Sequence, residues 1–306
     1  MLSIAPLPAT KSLLPKLRNL LRALLSLIKI RIVLLVAIVT TLGYWLAAGS
    51  FRPLSTLFFA LLGTSLASAG AGVLNNVLER DVDARMVRTR ERALPTGLVS
   101  PVVATWFGIV LTIGGSGLLV VNTGPLPALL STLAAGLYLF VYTPLKRLTW
   151  LNTPLGAIPG AIPPLIGWAS ATGGSLEIGG WILFAMLFLW QHPHFYAIAW
   201  VCREDYDRAG LRMAGMAGNG ELLLTRQVIG SLITLIPVSF LLTVIGTTGV
   251  WFSVGIIGAG GLYLLAGIRF ARKLDLRSSR LLLRASVLYL PAVLLLLLTD
   301  RILTAL

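Results

Sequence analysis

The feature that most constrains this chain is a succession of long apolar stretches separated by short polar segments. An α-helix needs about 20 predominantly apolar residues to cross the hydrocarbon core of a membrane. Nine stretches of this kind occur, at 31–49, 54–79, 101–122, 126–145, 152–172, 179–201, 228–248, 251–269 and 282–303. Because lipid offers no hydrogen-bond partner to an open backbone, we predict an all-α integral membrane protein with about nine transmembrane helices.

The composition supports this class, since 57% of the residues are hydrophobic and only 12% are charged. We expect a single membrane domain over 29–306, preceded by a basic N-terminal segment at 1–28. Within that segment, Leu13 to Leu27 predicts a basic amphipathic helix on the membrane surface, with an organelle transit segment as the alternative. The single cysteine, Cys202, excludes an internal disulfide and a cysteine-based metal cluster.

The net charge of +14 follows the positive-inside rule. If the N terminus is inside, all of the 25 lysines and arginines except Arg52 and Arg301 fall on the inner side. An odd number of spans then places the C terminus outside. The basic balance therefore needs no nucleic-acid partner to explain it.

An unusually polar segment, 75–97, follows the second predicted span and holds four acids and five arginines. Asn75, Glu79 and Asp83 lie at i, i+4 and i+8 and so share one helix face, whereas Asp81 points elsewhere. Oxygen ligands on one face suit Mg²⁺ bound together with substrate phosphates, and arginines suit those phosphates. A helix end laced with salt bridges explains the same residues, and both interpretations stay open here.

Two further stretches are ambiguous in the same way. Lys146 and Arg147, after the fourth predicted span, either bind phosphate or anchor the helix at the lipid headgroups. The fifth predicted span, 152–172, contains four prolines and three glycines. A helix so interrupted either lines a cavity or is a kinked packing helix.

Both histidines lie at the end of the sixth predicted span, followed by Glu204, Asp205 and Asp207. His194 and Asp205 are eleven residues apart, which predicts nearly the same helix face at about 100° per residue. Zinc is not expected, because two histidines in an H-x-H pattern point about 200° apart on a helix and no third soft ligand is near.

These motifs together resemble those of a known enzyme superfamily. N-x-x-x-E-x-x-x-D followed by R-T-x-x-R-x-L-P-x-G is similar to the first acidic motif of the intramembrane UbiA-type prenyltransferases, with Glu79 where an aspartate is usual. Y-T-P-L-K-R, G-A-I-P-P-L-I-G-W, H-F-Y-A-x-A-W and R-E-D-Y-x-R-A-G-x-x-M resemble the protohaem IX farnesyltransferase family over roughly 29–237, which includes Lys29 and Arg31. The second D-x-x-x-D motif of ubiquinone-type relatives is absent, and His192 departs from the haem family's pattern.

The resemblance implies a UbiA-type fold, with helices around a central cavity, and an activity. A farnesyl group would move from farnesyl diphosphate to a vinyl group of protohaem IX, making haem O for haem-copper terminal oxidases. Haem would be a substrate rather than a cofactor. The implied metal ligands for Mg²⁺ are Asn75, Glu79 and Asp83, the implied diphosphate ligands are Arg88, Arg92, Lys146 and Arg147, and the implied catalytic residues are His194, Asp205 and Glu204.

The resemblance also implies a cellular location and partners, and it leaves two alternative functions open. The expected location is a bacterial cytoplasmic membrane, with the mitochondrial inner membrane as the alternative, and the expected partners are the lipid bilayer, haem A synthase or a terminal oxidase assembly. The aromatic residues Trp168, Phe195, Tyr196 and Trp200 are candidates for lining the cavity. One rival is a prenyltransferase for a quinone precursor or another aromatic or porphyrin-like acceptor. The other is a transporter or lipid-binding protein, against which no charge lies in the middle of a span.

Overall fold

The computed structural model describes residues 13–48, 53–215 and 220–304, and these residues form helices and turns without a strand. Residues 1–12 of the basic N-terminal segment and Arg52 lie outside the described part of the chain. The all-α fold class predicted from hydropathy is therefore confirmed for the described residues.

Most helices follow one another along the chain with short connections, and residues 84–100 form a longer irregular loop between α4 and α5. They are α1 Leu13–Leu27, α2 Ile30–Ala47, α3 Leu54–Leu78, α4 Arg80–Asp83, α5 Pro101–Thr123, α6 Pro125–Gly136, a π-helical segment Leu137–Tyr142, α7 Thr143–Leu145, α8 Asn152–Ala161, α9 Pro163–Thr172, α10 Ile178–Val201, α11 Arg203–Arg208, α12 Gly220–Val244, α13 Val250–Lys273 and α14 Leu276–Thr304.

Eight helical stretches of the described chain are long and apolar enough to cross a membrane. They are α2, α3, α5, Pro125–Leu145, α10, α12, α13 and α14. The remaining predicted span, 152–172, is present as two consecutive ten-residue helices, α8 and α9. The chain changes from one to the other at Ile162, because Pro163 and Pro164 lack the N–H groups that a continuous helix would use.

Several predicted helix ends are displaced from the observed ones. The seventh predicted span starts at 228 and the ninth at 282, whereas α12 begins at Gly220 and α14 at Leu276. The additional helical turns carry Arg226 in α12 and Arg277 and Arg280 in α14. A prediction based on apolar stretches therefore does not include them. The backbone stays helical where the helix emerges from the hydrocarbon layer, because helical hydrogen bonds do not depend on apolar side chains.

Small residues let the membrane helices approach closely, as expected for packing in lipid. A Cβ atom at Gly115 of α5 would lie 2.5 Å from the Gly63 carbonyl oxygen of α3, and one at Gly167 of α9 would clash with the Thr40 carbonyl of α2. Large apolar side chains such as Val121 are exposed on the outer surface. The close contacts join α5 to α3 and α9 to α2.

Helix α1 spans the residues predicted for the amphipathic helix. Its Ala23 and Leu27 are buried against Val73 and Leu94, whereas Leu25 on another face is exposed. The hydrogen bond from Asn76 Nδ2 to the Leu27 carbonyl fixes the end of α1 beside the end of α3 at 2.9 Å. The segment that enters the first span is thereby held next to the polar segment that follows the second.

Candidate active site

The residues predicted as metal ligands lie where α3 ends and α4 begins. Although the two helices are separated at Glu79, the helical hydrogen bonds continue through it. The Glu79 amide donates to the Asn75 carbonyl at 2.9 Å, and the Asp83 amide donates to the Glu79 carbonyl at 2.7 Å. The i, i+4, i+8 spacing is therefore kept in the structure. Asp81 is exposed and pairs with Arg80 at 3.0 Å, so it points elsewhere as predicted.

Each of the three predicted ligands is bonded to a cation from another part of the chain. The pairs are Lys29 Nζ with Asn75 Oδ1 at 2.5 Å, Lys146 Nζ with Glu79 Oε1 at 2.7 Å, and Arg92 Nη1 with Asp83 Oδ2 at 2.8 Å. We call these six residues the polar cluster. Asp83 is 2% exposed, so its charge depends on this compensation.

The electrostatic effects within the polar cluster are mutual. Burial lowers the pKa of Lys29 to about 8, and the positive charge of Lys146 acts in the same direction. Burial alone would raise the pKa of Glu79, but the adjacent Lys146 ammonium outweighs it, so this pKa lies below its ordinary value. The charges of Asp83 and Arg92 also reach Lys29, which shows that the cluster forms one electrostatic unit.

The amide orientation of Asn75 is set by its neighbours. Its Oδ1 accepts from Lys29, and its Nδ2 donates to Thr143 Oγ1 at 2.9 Å. Thr143 in turn donates to the Tyr138 carbonyl at 2.8 Å, within the π-helical segment. The wider turn of that segment brings Tyr138 and Tyr142 beside the cluster, where Lys146 lies 4.4 Å above the Tyr142 ring. The side-chain amide oxygen of Asn75, Oδ1, is thus the atom that faces a cation.

A central cavity of about 350 Å³ opens beside the polar cluster. Lys29, Tyr138 and Tyr142 line it at the polar end, and apolar or small residues of α2, α3, α6, α8, α9 and α10 form most of the wall. Two glycines and two prolines of the broken fifth span lie in this wall, namely Gly156, Pro159, Gly160 and Pro163, which confirms that the span lines a cavity. The volume lies in the range of sites for small molecules.

His194 lines the central cavity and His192 does not. The His194 ring stacks on Trp190 with ring centroids 5.1 Å apart, and its Nδ1 lies 2.7 Å from Ser286 Oγ. His192 is buried, and its Nδ1 faces the Phe188 carbonyl of its own helix at 2.6 Å. The two histidines therefore occupy different surroundings, as their spacing predicts.

The predicted shared helix face does not bring His194 and Asp205 to one site, since His194 lines the central cavity and Asp205 does not. Helix α10 ends at Val201, and a new short helix, α11, starts at Arg203. Asp205 instead accepts hydrogen bonds from the backbone amides of Val87, at 3.1 Å, and Arg88, at 3.3 Å. Its carboxylate therefore holds the loop that carries Arg92, and the sequence could not show this because the contact joins segments about 120 residues apart.

Three other predicted site residues are not part of the polar cluster. The side chains of Arg88, Arg147 and Glu204 are exposed. Glu204 lines a separate open depression with Arg203 and Asp207. The structure therefore brings together five residues of the predicted set, Asn75, Glu79, Asp83, Arg92 and Lys146. It leaves Arg88, Arg147 and Glu204 at the surface.

Cavity-lining residues were only partly anticipated. Phe195 lines the cavity, but Trp168, Tyr196 and Trp200 are buried in the surrounding helix packing. Tyr138, Trp190 and Gln191 also line the cavity, although this was not predicted from the sequence. Lys29 was noticed only as part of a motif. A lysine at the start of an apolar span was a detectable signal, because a charge there must find a partner or reach water.

A metal site with three or more His, Cys, Asp or Glu ligands does not occur among the described residues. The polar cluster offers two carboxylates and one amide oxygen. This hard oxygen set suits Mg²⁺, which commonly takes one or two carboxylates and completes its coordination with substrate phosphates and water. The donor chemistry thus fits a metal that arrives with a phosphorylated substrate.

Comparison with known proteins identifies the family. The family model described as "UbiA prenyltransferase family" matches residues 36–297. The chain belongs to this family. Among relatives, the protoheme IX farnesyltransferase of Solibacter usitatus is 40% identical over 289 residues, which is 92% of this chain and 99% of that protein. The human mitochondrial protoheme IX farnesyltransferase is 37% identical over 91% of this chain and 62% of that protein.

Solved structures show that the UbiA fold is shared by this chain. A structure of digeranylgeranylglyceryl phosphate synthase has a TM-score of 0.74 at 16% identity and covers 92% of this chain and 98% of that one. A UbiA homologue from Archaeoglobus fulgidus, bound to GPP and Mg²⁺, has a TM-score of 0.61 at 17% identity and covers 91% of this chain and 98% of that one. The predicted helices around a central cavity are thus confirmed as a UbiA-type fold.

Loss of the Asp205 carboxylate should loosen the loop without disturbing the helices. In Asp205→Ala we expect the Val87 and Arg88 amides to exchange hydrogen roughly 10-fold faster, because each loses a charged acceptor. Hydrogen exchange measured by mass spectrometry on peptides covering 84–98 checks this. Asp207→Ala is the matched control, since Asp207 is exposed on the same short helix. Unchanged hydrogen exchange in Asp205→Ala would show that the Asp205 carboxylate does not order the loop.

Proposed function

We propose that this protein transfers the farnesyl group of farnesyl diphosphate to a vinyl group of protohaem IX and so makes haem O. The observation that carries the proposal is the identity of about 40% to protoheme IX farnesyltransferases over most of the chain. The cavity supports it, because an apolar chamber next to a cluster of cations suits an apolar chain with a diphosphate head. The His194 imidazole in the same chamber suits a haem acceptor.

The polar cluster would bind the diphosphate. Asn75, Glu79 and Asp83 would hold Mg²⁺, which when bound supplies positive charge to the leaving diphosphate. Lys146 and Arg92 already lie beside these ligands, and their donors would turn to the phosphate oxygens. Lys29 belongs with them, although no role was predicted for it, because its ammonium lies between Asn75 Oδ1 and the Tyr138 hydroxyl.

The bond changes follow from this arrangement. The C1–O bond of the farnesyl group breaks, and its electron pair leaves with the diphosphate. The terminal vinyl carbon then bonds to C1, and a water molecule adds its oxygen to the inner vinyl carbon and loses a proton. The apolar wall keeps other water away from the allylic cation during the first step, because the lining offers few polar atoms to hold it.

Arg88, Arg147, Glu204 and Asp205 take outer roles in this proposal. The exposed Arg88 and Arg147 would guide the anionic substrate toward the polar cluster by long-range attraction. Asp205 would act by holding the loop that presents Arg92. Glu204, on the surface near Asp205, would contribute indirectly through the α11 segment.

The acceptor separates the proposal from its rival. Purified protein supplied with farnesyl diphosphate and Mg²⁺ should farnesylate protohaem IX and should not prenylate 4-hydroxybenzoate, a quinone precursor. Mass spectrometry of the extracted products distinguishes the two. Prenylation of the benzoate with no change in haem would replace the haem assignment with a quinone-type one. Transport of a solute across vesicles without any prenylated product would point to the transporter class instead.

The metal ligands should be separable from their neighbour by substitution. Glu79→Gln and Asp83→Asn should each lower turnover by on the order of 100-fold or more, because a charge that holds the ion next to the leaving group is lost. The affinity for farnesyl diphosphate in the presence of Mg²⁺, measured by calorimetry, should fall together with turnover. Asp81→Asn is the matched control and should behave nearly as wild type, since Asp81 is exposed and paired with Arg80. Equal losses in all three variants would refute the shared-face assignment.

The orientation and setting are also part of the proposal. We place the polar cluster on the cytoplasmic side of a bacterial inner membrane, or the matrix side of a mitochondrial one, with the N terminus inside and the C terminus outside. A phosphatase reporter that works only outside the cytoplasm should be active when fused after Leu306. Activity of a fused reporter that works only in the cytoplasm would contradict this topology.

The apolar product would stay in the bilayer, so its consumers would be membrane partners such as haem A synthase or the oxidase assembly. Crosslinking in native membranes that recovered neither would count against that association.

A further inference from the structure

A contact between α10 and α14 fixes the His194 side chain. Its Nδ1 lies 2.7 Å from the hydroxyl oxygen of Ser286, which is completely buried on α14. Ser286 lies outside every motif of the sequence, and 92 residues separate it from His194. Polar side chains commonly form hydrogen bonds between membrane helices, so this contact joins α10 to α14.

Counting hydrogen atoms determines the tautomer of His194. A serine hydroxyl carries one hydrogen, and a backbone carbonyl can only accept. Ser286 Oγ lies 2.7 Å from the Leu283 carbonyl oxygen, so its hydrogen fills that contact. The hydrogen in the contact with His194 must then come from Nδ1. If Ser286 donated to Nδ1 instead, two oxygens would face each other at 2.7 Å with no hydrogen between them.

Neighbouring side chains hold the plane of the His194 ring. Trp190 stacks on one face of it with 22° between the ring planes, and the Trp190 indole N–H donates to the Ser286 carbonyl at 2.9 Å. The Trp190 carbonyl accepts from the Tyr263 hydroxyl at 3.2 Å. Residues from α10, α13 and α14 therefore hold both the imidazole and the serine that faces it.

We propose that Ser286 is a positioning residue that keeps His194 in the Nδ1–H tautomer, so that Nε2 presents its lone pair to the haem iron in the central cavity. This inference rests on the proposed function. A neutral imidazole has one protonated and one bare nitrogen, and only the bare nitrogen can bind a metal. Histidine ligands of metals usually donate their other ring N–H to an oxygen, which fixes the ring and raises its basicity. Ser286 supplies that oxygen here.

Haem titration by absorbance on purified protein tests the proposal. Ser286→Ala should weaken haem binding about 10-fold to 100-fold and reduce the fraction with an imidazole-bound spectrum, whereas Ser286→Thr should recover both. Ser279→Ala is the matched control and should titrate as wild type. Ser279 is also fully buried on α14, and its hydroxyl bonds to helix carbonyls without touching a histidine. Binding of Mg²⁺ and farnesyl diphosphate should be unchanged in all of them.

The outcomes separate this inference from the proposed function. His194→Ala defines the spectrum without the ligand. If that variant binds haem as wild type does, or if Ser286→Ala does, the inference is overturned, while farnesylation of haem by the wild type would leave the function standing. Wild-type protein that neither binds nor farnesylates haem would overturn both.

A second measurement needs no substitution of Ser286. The chain has two histidines, so ¹⁵N-histidine labelling gives few ring resonances, and His194→Ala assigns them by difference. We expect His194 Nδ1 to be protonated and Nε2 to be bare in the wild type without haem. His192 should show the same tautomer, because its Nδ1 faces a carbonyl oxygen. A protonated Nε2 on His194 would overturn the assignment even if Ser286→Ala failed to fold.

Discussion

The structure depends on the pairing of oxygen-bearing and cationic side chains at one edge of the membrane. Glu79 and Lys146 are 12% and 15% exposed, and Asp83 is 2% exposed, so none of these charges is well hydrated. Removing one partner of such a pair commonly costs about 3–5 kcal/mol, whereas replacing the whole pair by apolar residues is often neutral. Stability alone therefore does not explain the pairs. The proposed binding of a metal ion by the oxygens and of its phosphates by the cations would account for them.

The same pairing decides which parts of the chain must meet. Lys29 precedes α2, the acids follow α3, and Lys146 follows α7. The segment after α11 is tied to this edge as well, since the Arg212 amide donates to the Lys146 carbonyl at 2.8 Å. The Asp205 carboxylate, which accepts from the Val87 and Arg88 amides, joins the segment that contains α11 to the loop that follows the acids. The loop that carries Arg92 thus has its position set from a distant element.

What the sequence could predict follows from the range of each interaction. Hydropathy and charge asymmetry are local signals, so they predicted the spans, and the helical spacing of Asn75, Glu79 and Asp83 was also local. Contacts between distant segments left no local trace. The role of Asp205 required knowing that its carboxylate meets the Val87 and Arg88 amides, which lie about 120 residues away in the chain. Ser286 sits in an apolar span where a single serine has no periodic meaning.

Polar groups in the cavity wall are held by hydrogen bonds within the protein, as Gln191 and His194 illustrate. The Gln191 amide donates to the Leu187 carbonyl at 3.0 Å, and a side chain at Gly160 would collide with the Gln191 carbonyl oxygen. In the proposed tautomer, His194 donates its N–H to Ser286. The stacked rings of Tyr138 and Tyr142, whose centroids are 5.6 Å apart, line the polar end of the cavity together with Lys29. Aromatic faces stabilise a nearby cation, as the Tyr142 ring does for Lys146, while the apolar remainder of the wall has few atoms that could hold water.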